Sequence, residues 1–411
     1  MMNSNNKDKI SAGGSKDTKD KPHACFIYYQ IFHYSAMLCR EAKAVIEKGY
    51  KVDIICLREN ASEEVFESFQ GMNLYKIQAR PEREGSTLKY FLRLGLYIFK
   101  TFFLVSWLGL WRRYKFIHVT SPPDILVFTA IIPKLMGTKL ILDIHDSGPE
   151  LYMRNLKVSE AHWVIRILKM LERISSRFVD HVVTVTDIWK EKLTQRSCPE
   201  FKCSVLLNVP DEDVFRLNGV QKHKSSERLN LFFHGSLEIP WGVDTLVHAI
   251  PDIAESIPNV LLHIYGRGRL REQIEKLQVS LGIQNYLSIH GFVPFHQLPS
   301  ILSQADIGIV PTIDGVFTDE ALSMKSLEYI ALGIPIVISR NRCHSYYYND
   351  SMVKFFEPRN SSDLAEKTIE LAQDEKMKQQ QIKNSLEFLK IHGWKETKKK
   401  YYRIIDNLVA P

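Results

Sequence analysis

Short apolar runs alternate with helical patterns twice along this chain, and one polar segment separates the two series. The first series of strand-like runs lies at residues 24–29, 52–57, 116–120, 139–144, 181–185 and 204–207. The second series lies at 229–234, 260–265, 286–290, 307–310, 334–338 and 353–356. Helical patterns fill the gaps, for example at 35–48 and 163–178. Strands separated by helices favour βαβ units, so the sequence predicts an α/β protein with parallel sheets.

The polar segment at 208–228 has no strong period and is the best candidate for a linker between two domains. We therefore predict a disordered tail at 1–22, an N-terminal Rossmann-like domain at 23–215 and a C-terminal Rossmann-like domain at 216–390. A C-terminal helix at 391–411 follows, and we expect it to pack back on the N-terminal domain. Two doubly wound domains joined in this way face a cleft, where ligands bind at the carboxyl ends of the strands.

The composition excludes several classes of protein. Of the 411 residues, 45% are hydrophobic and 25% are charged, which is typical of a globular protein and excludes a mostly disordered chain or a collagen. Six scattered cysteines do not suit a disulfide framework, and Cys198 and Cys203 have no partners at the spacing of a zinc site. The first 22 residues are polar and do not resemble a secretory leader. The sequence therefore predicts a cytoplasmic protein with reduced thiols.

A basic and strongly apolar window at 89–115 has two interpretations. The net charge of +7 lies entirely in the first 220 residues, and this window contains basic residues but no acidic one. Arg93 and Lys100 interrupt the apolar run, so a transmembrane helix, which needs about 20 apolar residues, is not predicted. One interpretation is a buried helix with basic ends. The other is a helix on an anionic membrane surface, with Trp107 and Trp111 at the headgroups.

The second interpretation would make the protein peripheral on the inner face of the cell membrane. Nucleic acid is a weaker candidate for the partner of this window, because no recognised nucleic-acid-binding motif accompanies it. The sequence therefore predicts no nucleic-acid partner.

The most informative segment for function is 306–337, where a strand, a loop and a helix beginning near residue 322 are predicted. Glu320 lies just before the helix, and Lys325 and Glu328 are three residues apart on one helix face. A helix N-terminus with a lysine can bind a diphosphate, and a carboxylate further along can accept hydrogen bonds from a ribose diol. A solvated helix with a Glu–Lys pair is the alternative interpretation.

Three further segments follow predicted strands. At 143–150, His145 lies between two aspartates at a strand end, a density of polar groups that favours a functional cluster. At 233–237, Gly235 would let the backbone approach a ligand closely, although an ordinary strand-to-helix turn is the alternative. At 266–268, Gly-Arg-Gly lacks the third glycine of a dinucleotide fingerprint but fits a tight turn near a phosphate.

Taken in order, these residues resemble the family-4 glycosyltransferases, which have the two-domain GT-B fold. Glu320 and Glu328 have the spacing of the family's Glu-x7-Glu motif, and 328–335 is similar to its E-Y-x-A-x-G-x-P continuation. The turns at 234–237, 266–268 and 290–294 are similar to the family's donor-domain turns, and Arg40-Glu41-Ala42 is similar to its R-E-A helix. The resemblance covers nearly the whole chain after the tail.

The resemblance implies a retaining, metal-independent transfer of a hexosyl group from a nucleotide diphosphate sugar. The donor would be UDP- or GDP-linked, and no separate cofactor is implied. The acceptor would be a saccharide or a lipid-linked saccharide in capsule, O-antigen or exopolysaccharide synthesis, bound mostly by the N-terminal domain.

The resemblance also assigns roles to individual residues. The catalytic set comprises His145, which matches a first-domain histidine near the donor sugar, Glu320, which would contact the sugar hydroxyls, and Lys325, which would neutralise the diphosphate. Glu328 would bind the ribose, and backbone N–H groups at Gly235 and Ser236 would meet the phosphates. The full donor-binding set comprises Gly235, Ser236, Arg267, Phe292, Val293, Lys325 and Glu328.

The chain departs from the family pattern at three places. Trp241 precedes Gly242, where many relatives carry Arg or Lys; Ser35 and Met37 stand where relatives often show Asp and Arg; and Met324 replaces a proline. Two other hypotheses remain open on this sequence. One is a sugar-nucleotide epimerase of the same fold, which would turn over its donor without an acceptor. The other is a non-catalytic nucleotide-binding scaffold.

Overall fold

The computed structural model describes residues 21–81, 86–212, 214–215 and 228–410, and it contains two mostly parallel sheets. Nearly all of the predicted tail (1–20) and the middle of the predicted linker (213 and 216–227) lie outside the described residues. The N-terminal sheet has eight strands, namely β1 (His23–Ile31), β2 (Lys51–Arg58), β3 (Phe66–Phe69), β4 (Met72–Ala79), β5 (Phe116–Ser121), β6 (Lys139–Ile144), β7 (His181–Thr184) and β8 (Cys203–Val205). Their order is β3-β4-β2-β1-β5-β6-β7-β8, with β3 antiparallel to β4 and the other neighbours parallel.

The C-terminal sheet is parallel throughout its six described strands. They are β9 (Leu229–Ser236), β10 (Val260–Arg267), β11 (Leu287–His290), β12 (Ile307–Val310), β13 (Ile336–Ser339) and β14 (Lys354–Phe356). Their order is β11-β10-β9-β12-β13-β14, so successive strands are added on one side of β9 up to β11 and on its other side from β12 onward. In such sheets a ligand crevice forms at the carboxyl ends of the strands where the order reverses.

Helices connect the strands and cover both sheets. The first domain contains α1 (Ala36–Glu47), α2 (Thr87–Arg112), α3 (Ile131–Leu135), α4 (Gly148–Leu156), α5 (Trp163–Phe178) and α6 (Asp187–Arg196). The remainder of the chain contains α7 (Val243–Ser256), α8 (Arg271–Ser280), α9 (Leu298–Leu302), α10 (Met324–Ala331), α11 (Arg342–Tyr347), α12 (Ser361–Gln373), α13 (Glu375–His392) and α14 (Trp394–Val409).

The alternation of strands and helices predicted from the sequence is confirmed. The predicted runs at 139–144 and 307–310 coincide with β6 and β12, and the predicted helix at 163–178 coincides with α5. The hairpin of β3 and β4 was not predicted, because β3 has only four residues, of which two are exposed and two half-buried, and no apolar run. The helix expected near residue 322 begins at Met324, which leaves Glu320 four residues outside α10.

The last helix of the chain packs against the N-terminal sheet. Tyr401 and Ile405 of α14 are buried in the same apolar cluster as Phe26 of β1. At the start of α14, Trp394 lies under the guanidinium of the buried Arg40, 4.7 Å from its Cζ to the ring centroid. The chain therefore returns to the first domain after completing the second, and its last helix contributes to the first domain's core.

Helix α2 has one buried face and one exposed face, and both are apolar. Tyr97 and Val105 are buried against the sheet, whereas Phe99, Phe103 and Trp107 are more than half exposed. Among the described residues, one helix, Leu88–Arg112, is long and apolar enough to cross a membrane, and 33% of its window is buried inside the protein. The interpretation of this window as a buried helix therefore accounts for one of its two faces and leaves an apolar surface exposed.

Candidate active site

A glycine turn and a lysine meet at the carboxyl edge of the C-terminal sheet. Strand β9 ends in Gly235 and Ser236, and Gly235 has a φ of +120°, which residues with a side chain rarely adopt. A Cβ atom at Gly235 would lie 2.7 Å from Cε of Lys325, in the first turn of α10. The lysine therefore lies directly against the turn, beside backbone N–H groups and a helix N-terminus that can bind an anion.

The ammonium of Lys325 lies over aromatic rings. Its Nζ is 4.3 Å from the ring centroid of Trp241 and 5.4 Å from that of Phe233. Burial lowers the pKa of Lys325 to about 8, while the Glu328 carboxylate opposes this shift. Trp241 is one of the residues at which the chain departs from the resembled pattern, and in the structure its aromatic ring contacts the lysine. A desolvated ammonium in this position can bind a diphosphate strongly.

Glu328, one turn further along α10, is oriented by strand β9. Its Oε2 accepts a hydrogen bond from Nε2 of His234 at 2.6 Å, and Nδ1 of His234 lies 3.0 Å from Oη of Tyr329. Tyr329 donates to the backbone carbonyl of Phe232 at 2.8 Å. The Glu328 side chain is only 8% exposed. This buried network fixes the carboxylate, and sequence analysis noted His234 only as part of a turn.

Glu320 lies at the contact between the two domains. Its Oε1 is 2.5 Å from Nζ of Lys192 in α6, and the same ammonium is 3.0 Å from Oε1 of Glu150 in α4. Thr186 donates through Oγ1 to the backbone carbonyl of Glu320 at 3.1 Å. The second carboxylate oxygen of Glu320, Oε2, is buried without a hydrogen-bond partner among the described residues. A buried carboxylate oxygen of this kind can accept a further hydrogen bond.

Sequence analysis missed the first-domain partners of Glu320. Lys192 and Thr186 are 128 and 134 residues away in sequence, and neither belongs to a recognisable motif. Asp187, next to Thr186, forms a further contact between the domains, because its carboxylate accepts a hydrogen bond from Oη of Tyr347 at 2.8 Å. These contacts place α4 and α6 of the first domain against the loop that carries Glu320.

A buried chain of hydrogen bonds ends at His145. Oη of Tyr401 lies 2.8 Å from Nδ1 of His118, and Nε2 of His118 donates to Oδ2 of Asp143 at 3.1 Å. Nε2 of His145 donates to the same oxygen at 2.6 Å. Tyr401, His118 and Asp143 are fully buried, whereas the His145 side chain is 19% exposed. The network therefore runs from the last helix to a histidine that reaches the surface.

The charges around His145 favour its protonated form. Burial lowers the pKa of His145, but the charge and hydrogen bond of Asp143, together with the charges of Glu41 and Asp146, raise it to about 9. Burial raises the pKa of Asp143, but His145 and His118 together hold it below the usual range. Burial, followed by the Asp143 carboxylate, raises the pKa of Glu41 to about 7. At neutral pH His145 is therefore an imidazolium, which donates a hydrogen bond and does not act as a base.

The same cluster has the composition of a metal site. Glu41, Asp143 and His145 each offer one ligand atom, and these atoms lie within 4.8 Å of one another. However, His145 and Asp143 are joined by a direct hydrogen bond of 2.6 Å, and Asp143 also accepts from His118. We do not assign a metal ion to this cluster.

The remaining candidate residues lie at the same sheet edge as Gly235. Arg267 at the end of β10 is in register with Ser236 of β9. Its Cζ lies 4.7 Å from the ring centroid of Phe292, and both side chains are exposed, while Val293 is half-buried. The structure therefore brings Gly235, Lys325 and Glu328 together, joins Glu320 to the first domain, and leaves Arg267 with Phe292 as an exposed pair.

Comparison with known families follows this division of the chain. Residues 34–208 match the model of the Glycosyl transferase 4-like domain, and residues 217–388 match the model of Glycosyl transferases group 1. The chain belongs to the family-4 glycosyltransferases. The chitobiosyldiphosphodolichol beta-mannosyltransferase of Debaryomyces hansenii is 24% identical over 366 residues, 80% of this chain and 75% of that protein. The putative colanic acid biosynthesis glycosyltransferase WcaL of Escherichia coli is 25% identical over 163 residues, 38% of this chain and 39% of WcaL.

Solved structures of similar shape place this glycosyltransferase in the GT-B fold. Sucrose-phosphate synthase from Thermosynechococcus elongatus superposes with a TM-score of 0.77 at 15% identity, covering 95% of this chain and 100% of that one. Anabaena HepE in complex with UDP superposes with a TM-score of 0.68 at 12% identity, covering 94% and 100%. The prediction of two Rossmann-like domains with the GT-B architecture is confirmed.

Substituting the glycine of the β9 turn tests its contact with the lysine. We expect Gly235→Ala to weaken binding of the nucleotide by about tenfold, because the new methyl group displaces Cε of Lys325 and strains a backbone with φ of +120°. Isothermal titration with GDP and UDP measures this change. Gly282→Ala is the matched control, since Gly282 also has a positive φ (+67°) but no atom within 4 Å of the new Cβ. Equal losses in both variants would contradict a specific contact.

Proposed function

We propose that this glycosyltransferase moves a hexosyl group from a nucleotide diphosphate sugar to a saccharide acceptor, with retention of configuration and without a bound metal. The observation that carries the proposal is the position of Lys325 against the Gly235 turn, on the same helix as the oriented carboxylate of Glu328. The turn and the ammonium suit a diphosphate, and the carboxylate suits a ribose diol. Arg267 and Phe292 then form the outer rim of the donor site.

The sugar would lie between Glu320 and His145. The unpartnered Oε2 of Glu320 would accept a sugar hydroxyl, and the imidazolium of His145 would donate to the sugar or to the departing phosphate. Glu320 contacts Lys192, and Lys192 contacts Glu150 of α4, the helix that follows His145. These links support a site that both domains complete.

The protonation state of His145 supports the proposal of retention. An inverting enzyme needs a base to remove the acceptor proton, and a histidine with a pKa of about 9 is already protonated at neutral pH. In the proposed step, the acceptor oxygen bonds to the anomeric carbon as the bond to the phosphate oxygen breaks. The acceptor proton passes to that phosphate oxygen on the same face of the sugar. Lys325 would stabilise the negative charge that develops on the diphosphate.

The names of the relatives suggest the first donor and acceptor to test. The relative from Debaryomyces hansenii is a beta-mannosyltransferase acting on chitobiosyldiphosphodolichol, and a shorter match in Mycolicibacterium smegmatis is a GDP-mannose-dependent mannosyltransferase. We therefore propose a UDP- or GDP-linked hexose donor, with GDP-mannose tested first. The proposed acceptor is a lipid-linked saccharide in surface polysaccharide synthesis, reached from the cytoplasmic side while the 89–115 helix lies on the anionic membrane surface.

Thermal unfolding with nucleotides tests the donor site. We expect either GDP or UDP, at about 100 times its dissociation constant, to stabilise the protein by about 2.7 kcal/mol and raise Tm by about 2–5 °C. Glu328→Ala should remove most of this shift, whereas the exposed Glu272→Ala serves as the control. The matching sugar nucleotide should then be turned over only with an acceptor, and equally in excess EDTA. Turnover without acceptor would establish an epimerase, and no shift with GDP, UDP, ADP or CMP would favour a scaffold.

A further inference from the structure

We propose that the N-terminal domain binds an anionic lipid bilayer through three helices, α2, α3 and α5, and not through α2 alone. This inference extends the membrane contact proposed above for the 89–115 helix and rests on that proposed function. The inference is based on a second amphipathic helix, α5, whose exposed side carries apolar and basic residues. Sequence analysis did not connect this helix with a membrane.

The exposed side of α5 carries an apolar row at helical spacing. Trp163 is 66% exposed, Ile167 42%, Met170 53% and Ile174 46%. Three or four residues separate successive members, so the row runs along one side of the helix. The opposite side faces the protein, where Ile165 is fully buried. An apolar row of this length in contact with water indicates an interaction surface.

The three helices lie side by side on one face of the sheet. The crossovers from β4 to β5, from β5 to β6 and from β6 to β7 all progress in one direction across the sheet, so their helices share one face. Helix α2 contacts α3 closely, since a Cβ atom at Gly109 would lie 3.0 Å from Cγ of Pro133. Helix α3 contacts α5, since Nζ of Lys134 lies 5.4 Å from the ring of Phe178. We call the outward sides of α2, α3 and α5 the three-helix face.

The charges of the three-helix face complement an anionic surface. Helices α2 and α3 contain no acidic residue, and the one acidic residue of α5, Glu172, is buried and paired with Arg196. Basic residues alternate with the apolar row on α5, where Arg166, Lys169, Arg173 and Arg177 occur. Two carboxylates lie beside these helices, since the exposed Glu160 pairs with Lys169 just before α5 and Asp180 pairs with Lys134 just after it, but basic residues remain in excess. Apolar side chains flanked by an excess of basic residues are the pattern of a helix that lies in the headgroup region of anionic lipids.

The orientation of these helices relates the three-helix face to the candidate active site. Helix α2 connects β4 to β5, and α5 lies in the connection from β6 to β7. Because each helix runs back between two parallel strands, its first turn lies near the carboxyl edge of the sheet, where His145 is located. Tyr90 in the first turns of α2 interacts with Tyr152 of α4, the helix directly after His145. A bilayer on this face would therefore reach the edge of the cleft, where a lipid-linked acceptor could leave the membrane and enter the site.

Vesicle sedimentation with the full-length chain tests the inference. We expect Ile167→Ser with Met170→Ser to reduce binding to vesicles of phosphatidylglycerol and phosphatidylcholine by about tenfold, because two exposed apolar side chains lose their contact with lipid. Val279→Ser with Ile391→Ser is the matched control, since both residues are 65% exposed on other helices. Arg166→Gln with Arg177→Gln should weaken binding to the anionic vesicles and leave binding to pure phosphatidylcholine unchanged.

The outcomes separate this inference from the proposed function. Loss of binding in an α2 variant, Phe99→Ser with Phe103→Ser, but not in the α5 variant would overturn the three-helix face and leave the α2 contact. Absence of vesicle binding by the wild-type protein, with GDP or UDP stabilisation intact, would overturn both membrane proposals and leave the transferase. Loss of self-association instead of vesicle binding in the α5 variant, seen by sedimentation equilibrium, would identify an interface between copies of this chain and overturn the inference.

Discussion

Replacing Lys325 with methionine is expected to reduce kcat by about 10²–10³-fold, the range typical of losing one charged contact to a developing negative charge. Methionine keeps most of the length of the lysine and its contact with the Trp241 ring but removes the ammonium. The effect should be large because Trp241, the neighbour of the ammonium, provides an aromatic ring and no second charge. Steady-state kinetics with a saturating sugar nucleotide measures kcat directly.

Two further variants sharpen this prediction. Lys276→Met, on the exposed side of α8 in the same domain, is the matched control and should retain wild-type kcat. Trp241→Arg would restore the family pattern, and a partial recovery of kcat in the double variant with Lys325→Met would show that a cation is the missing element. An Lys325→Met enzyme with unchanged kcat and a raised KM would instead place the ammonium in ground-state binding alone.

The pKa of Lys325 adds a pH dependence to the free enzyme. Burial lowers this pKa to about 8, so the fraction of protein with a charged ammonium falls as pH rises through that value. A bound diphosphate favours the charged form and raises the pKa again. The alkaline decline near pH 8 is therefore expected in kcat/KM, which reports the free enzyme, and not in kcat at a saturating donor concentration.

The sequence predicts most of the fold because periodicity marks long, buried elements. Strands such as β6 and β12 are buried along nearly their whole length and read as continuous apolar runs. The hairpin of β3 and β4 was not predicted from periodicity. Strand β3 has no apolar run, and the ion pairs of Lys76 with Glu63 and Glu67 are contacts that no hydrophobic pattern reveals. Short strands at a sheet edge are therefore the part of the fold that needs a structure.

In the candidate site, residues close together in sequence were predicted, and their distant partners were not. The spacing of Glu320, Lys325 and Glu328 is local, so sequence analysis found these residues together. The partners that orient them are distant in sequence: His234 is 94 residues from Glu328, and Lys192 is 128 residues from Glu320. Single-sequence reasoning selects candidate side chains for the chemistry, but it cannot predict which distant groups hold them unless those groups share a motif.

The largest effect expected in the first domain is the loss of the alkaline limb of kcat in His145→Asn. In the wild-type enzyme, kcat at a saturating donor concentration should fall as pH rises to about 9 or higher, because a bound diphosphate adds to the effect of Asp143 before His145 loses its proton. Asparagine still donates a hydrogen bond but does not titrate. We expect kcat of His145→Asn to be about 10²-fold lower at pH 7 and nearly constant between pH 7 and 10.

Stability gives an independent measurement of the same proton. The pKa of His145 is raised from 6.5 to about 9 on folding, so its contribution to the free energy of unfolding is complete below pH 6.5 and is lost as pH rises to about 9. Urea unfolding of the wild-type protein should therefore show a decline over this range that His145→Asn lacks. An alkaline limb of kcat that persists in the variant would assign the limb to another group.

Tyr401, in the last helix of the chain, is linked to His145 through His118 and Asp143. Its hydroxyl contacts His118, and His118 donates to the same Asp143 oxygen that binds His145, so Tyr401→Phe loosens one of the two groups that neutralise Asp143. The carboxylate then stabilises the imidazolium more strongly, and the alkaline limb should move to higher pH while kcat falls a few-fold. Tyr402→Phe removes a neighbouring hydroxyl on the same helix, which donates to the carbonyl of Ala44 at 2.9 Å, and should leave the limb in place. A shift confined to Tyr401→Phe would mean that the last helix, beyond its role in packing, sets the charge of a residue in the cleft.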